Sequence, residues 1–103
     1  MTPTREQMEL AAKAAGIERS VGGDLWSNAR GMLWTPLASG DDSQRLQGKL
    51  RIGLLIDGAR VLASEGRMSV LGVDFNPAIP DDDLRAMREV IFLVAVKIGR
   101  AMK

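Results

Sequence analysis

The chain has 103 residues, 46% of them apolar and 26% charged, and its fourteen basic side chains nearly balance thirteen acidic ones for a net charge of +1. That length buries a real hydrophobic core as one domain, and the composition is far from that of a disordered chain. Cysteine, histidine and tyrosine are missing altogether, which excludes disulfides, thiolate and imidazole catalysis, a phenolic nucleophile and the usual zinc sites.

The opening residues Met1 to Glu6 lack the basic and apolar regions of a secretory signal, so a cytoplasmic location is expected. The longest apolar run, Val90 to Val96, has seven residues, whereas a membrane-spanning helix needs about 20. It reads as a core segment.

Thr4-Arg5-Glu6-Gln7 has the pattern of a capping box, and Gly16 suits the left-handed position that stops a helix. These signals predict a helix from about residue 4 to 15, with an Ala-rich face fit for close approach to a sheet or another helix. Asp24 to Ser27 and Met32 to Thr35 are short aromatic-bearing segments around Asn28-Ala29-Arg30-Gly31, which predicts a hairpin ended by Pro36.

Ser39 to Asp42 supply the start of a second helix, along which Leu46, Leu50 and Leu54 recur every four residues. Two continuations are open: one long helix to Ser64 across Gly53 and Gly58, or a stop at Gly53 followed by strands Leu54 to Asp57 and Arg60 to Ser64 about a turn at Gly58. Each interior Gly costs a helix about 1 kcal/mol relative to Ala, which favours the strands. Met68 to Phe75 reads as another strand, and Asn76 to Pro80 as a stiff connection.

The last segment carries Asp81, Asp82 and Asp83 at its start and Lys97, Arg100 and Lys103 at its end, as the helix dipole prefers. Leu84, Met87, Ile91, Val94 and Ile98 form one stripe, which Val90, Phe92, Leu93 and Val96 widen until the middle is apolar nearly all round. Such a helix must be covered on more than one side. The cover comes from the sheet and a helix of the same chain, or from a second copy in a homodimer. The expected architecture is α+β, one domain over residues 1–103, with four or five short, mostly antiparallel strands and three helices in the order α-β-β-α-β-β-β-α.

Site candidates are few. Asp41/Asp42 and Asp81/Asp82/Asp83 offer oxygen ligands, yet they stand where helix starts favour Asp. Asp57 and Asp74, at strand ends, form the remaining pair for a metal-dependent hydrolase. Arg45 with Lys49 and Arg85 with Arg88 are helix-spaced basic pairs that could meet phosphates, although acidic residues one turn away suit solvated faces better. Gly22-Gly23 matches no phosphate loop. Trp26 and Trp34 are the two Trp residues, a type that concentrates binding energy when exposed and otherwise fills cores.

The stretch Trp34-Thr35-Pro36-Leu37, then Asp41-Asp42, then Arg45-Leu46-x-x-Lys49-Leu50, resembles a family of small bacteriophage and prophage proteins described as an α/β sandwich. Leu10 to Gly16 is similar to that family's first helix, and Arg85 to Met102 to its closing helix. The resemblance implies strands after Gly53 and names no catalytic residue or cofactor. It implies a non-enzymatic phage accessory protein, in the host cytoplasm, that binds a host protein, in its concrete form an inhibitor of a bacterial immune system of the anti-CRISPR kind. A nucleic-acid or nucleotide binder using Arg45, Lys49, Arg85 and Arg88 is the alternative, and a hydrolase using Asp57 and Asp74 the second.

Overall fold

The computed structural model describes residues 3–17, 34–65 and 70–102. They hold three helices and one three-stranded antiparallel sheet, which makes the fold α+β. The expected hairpin lies outside the described residues apart from Trp34 and Thr35, which are in no strand, and Trp26 lies outside them too.

Helix α1, Arg5–Ala15, starts with both halves of the capping box: the Gln7 backbone N–H donates to the Thr4 hydroxyl at 3.1 Å and the Thr4 backbone N–H to the Gln7 side-chain oxygen at 2.9 Å. It stops at Gly16 in the left-handed conformation, φ 70°. Its buried face is Ala11, Ala12, Ala14 and Ala15.

Helix α2, Gly40–Leu50, is capped by the Ser39 hydroxyl, which accepts from the Asp42 N–H at 3.2 Å. Its stop corrects the sequence reading: Arg51, not Gly53, ends the helix, and it holds a left-handed conformation at φ 55°. The cause lies one residue on. Ile52 is buried, its N–H donates to the Gln47 carbonyl at 3.0 Å and its carbonyl accepts from the Gln47 amide at 3.1 Å, so the chain folds back over the last turn before Gly53.

Gly53 instead opens strand β1, Gly53–Asp57, which pairs with β2, Arg60–Ser64. Of the two continuations, the strands are the one formed. Gly58 takes φ 63° and Ala59 does not, the requirement of a two-residue turn with positive φ at its first position alone. Strand β3, Leu71–Asp74, pairs antiparallel with β2 to give the order β1-β2-β3. The register puts Leu54, Ala63 and Leu71 in one row and Ile56, Val61 and Val73 in another on the inner face.

Helix α3, Asp82–Ala101, is about 30 Å long and is the centre of the molecule. It packs against β2 and β3 on one side and against α1 and α2 on others. Val90, Ile91, Phe92, Val94, Ala95 and Val96 are all buried within this single chain. These six residues of the apolar girdle are covered within one chain, whereas Leu84 is 45% exposed and Met87, Leu93 and Ile98 are partly buried.

Candidate functional site

Of the basic residues singled out in the sequence, Arg45, Arg85 and Arg88 make internal bonds. Arg85 holds Asp82 through Nε at 2.7 Å and Glu89 through Nη1 at 2.6 Å, and its Nη2 donates to the Asp74 carbonyl at 3.1 Å. The hydrogen bond from Arg85, then that from the Asn76 N–H, pulls the Asp82 carboxyl from its ordinary 3.8 down to about 2. The same pairing with Asp82 raises Arg85 above its ordinary value. Arg88 donates from Nε to the Leu37 carbonyl at 3.0 Å, which ties α3 to the turn after Trp34. Arg45 pairs with Asp41 at 3.0 Å, and exposed Lys49 stands one turn further along α2 with its ammonium beside Gly16. Trp34 is buried in the core.

Asp57 and Asp74 are brought to the same end of the sheet, with Arg60 between them in the register. Arg60 Nε lies 2.9 Å from Asp74 Oδ1, so Asp74 is paired with a cation of the chain itself. Among the described residues no three or more acidic side chains gather as a metal site would require. Of the Asp residues at the helix starts, Asp42 accepts from the Thr35 N–H at 2.9 Å and Asp82 from the Asn76 N–H at 2.7 Å, whereas Asp81 stands at the N-cap of α3 without a side-chain capping bond.

What the tertiary structure exposes is the outer edge of β1. The Phe75 N–H donates to the Ala59 carbonyl at 2.8 Å, which fixes the alternation of the ladder. Val61 and Ala63 turn their backbone groups to β3, while Arg60, Leu62 and Ser64 turn theirs to Asp57, Leu55 and Gly53. The N–H and C=O of Leu54 and Ile56 therefore point away from the sheet, and among the described residues no strand pairs with them.

Side-chain exposure agrees. Helix α3 packs under β2 and β3 but leaves β1 overhanging, so Ile56 is 49% exposed although it shares a row with buried Val61. On the opposite face Leu55 is 64% exposed. An apolar groove flanks β1 on each side. One, of about 290 Å³, is lined by Leu55, Leu62 and Val70 among others. The other, of about 210 Å³, lies between α2 and α3 and is lined by Leu54, Leu84, Met87 and Ile91, with Gln44, Gln47 and Arg88 along its polar rim.

The two edges of the sheet differ. Strand β3 has its outward Asp74 carbonyl taken by Arg85. Strand β1 has no Lys, Arg or Pro in Gly53-Leu54-Leu55-Ile56-Asp57, and its one charged residue, Asp57, stands at the end of the strand beside the turn, so Leu54 to Ile56 carry none of these edge-blunting residues. The sequence reading marked this segment as a strand and missed it as a site, because the absence of blocking residues matters only on an edge strand. Comparison with protein families, with characterised proteins and with solved structures finds no match to this chain.

Proposed function

We propose that this protein is a non-enzymatic binding module that captures another polypeptide by strand addition at the outer edge of β1. The observation that carries this reading is the coincidence, on one strand, of outward backbone groups at Leu54 and Ile56, exposed Leu55 and Ile56 side chains, and an apolar groove on either face. In strand addition the main chain supplies affinity and alternate side chains entering pockets supply selectivity. Both requirements have residues here. The likeness to small phage proteins gives the reading its setting: a host protein as partner, and inhibition of a bacterial immune system as the consequence.

Selection from a displayed library of short random peptides, followed by amide hydrogen exchange on the complexes, tests the mode of binding. The expected binders alternate apolar side chains, protect the amides of Leu54 and Ile56, and are lost with Ile56→Pro. That substitution removes an outward N–H while leaving the β1–β2 ladder intact. Binders that protect other amides, or the absence of any binder, would sink the proposal.

A further inference from the structure

The edge of β1 reads well against itself. We infer that in the free protein this edge is filled by β1 of a second copy of this chain, paired antiparallel about a two-fold axis at Leu55, which joins two sheets into one of the order β3-β2-β1-β1-β2-β3. This rests on the strand-addition reading of the edge and names the strand that fills it until another polypeptide displaces it.

Three features select that register. The outward backbone groups belong to Leu54 and Ile56, and the pairing about Leu55 sets each Leu54 opposite the partner's Ile56, so both find a strand residue on each copy. A shift by one pair towards the amino end sets Ile52 opposite the partner's Ile56, but both backbone groups of Ile52 are already bonded to Gln47. A shift the other way sets Leu54 opposite the partner's Gly58, which belongs to the turn.

Charge and shape agree with the same choice. Asp57 falls opposite the partner's Gly53, so the one charged residue of the strand meets neither its own copy nor a bulky side chain. Each Leu55 meets the partner's Leu55 on the face of the larger groove. On the other face the partner's Ile56 lies beside Leu54, above the groove that Leu54 lines with Leu84, Met87 and Ile91. An isologous contact of this kind closes on itself and, among the described residues, leaves the β3 strands, blunted by Arg85, as the ends of the joined sheet.

The test is the mass of the intact chain in solution by sedimentation equilibrium from micromolar to millimolar protein. Wild type is expected to reach twice the mass of one chain. Leu55→Lys and Leu55→Glu, each placing like charges face to face on the axis, are each expected to stay single, with unchanged circular dichroism because the side chain is exposed. Mixing the two variants is expected to restore the double mass, an outcome that requires Leu55 to face itself. A wild type that stays single throughout overturns the inference, and so does a dimer that survives Leu55→Lys. Neither result touches strand addition as such, whose separate measure is peptide capture with protection at Leu54 and Ile56.

Discussion

Gly99 of α3 lies directly against the backbone carbonyl of Leu10 in α1, so closely that a methyl group built on Gly99 would overlap that carbonyl. The obstacle is backbone, which cannot rotate aside as a side chain does. Gly99→Ala must therefore push α1 off α3, along the contact where Ala11, Ala14 and Ala15 pack. Overpacking of this sort costs about 1–3 kcal/mol, and the melting temperature, followed by circular dichroism, is expected to fall by at least about 4–8 °C. An unchanged melting temperature would mean that the two helices do not approach this closely.

Arg51 gives the opposite expectation. It is an exposed residue holding the left-handed conformation at φ 55°, where a Cβ is unfavourable. Arg51→Gly relieves that strain and gives back part of the gain through the greater freedom of the unfolded chain. A net stabilisation of about 0.5–1 kcal/mol is expected, read as a higher midpoint in urea with an unchanged slope. A lower midpoint would show that the Arg side chain contributes more than its backbone costs.

Asp82 links stability to acid. Its folded carboxyl titrates at about 2, below its ordinary 3.8, because it accepts from Arg85 and from the Asn76 N–H. A depressed folded value means that the stabilisation is fully present above the unfolded value and is lost as pH falls through the folded one. Wild type is expected to melt above Asp82→Asn at neutral pH, and the gap is expected to close between about pH 4 and pH 2. A gap that does not change over that window would remove Asp82 from the acid response.

Much of the fold was legible because it rests on local chemistry. The capping box of Thr4 and Gln7, the Gly16 stop, the Ser39 cap and the turn at Gly58 each depend on residues within a few positions of one another. The charge order of the last helix and its apolar middle likewise announced a central helix. The stop of α2 was not legible: a left-handed Arg51 is tolerated only because Ile52 finds a place in the core, and burial is decided by distant residues.

The candidate site followed the same division. The sequence by itself determined that β1 is an apolar strand without Lys, Arg or Pro, and that the chain lacks the side chains of common catalytic centres. Only the tertiary structure decided that Arg85 and Arg88 turn inward as ties, that the middle of α3 is buried within its own chain, and that β1 is an edge among the described residues. The physical reason is that a strand's side chains are fixed by its own residues, while the fate of its outward N–H and C=O groups depends on which strand, if any, comes to lie beside it.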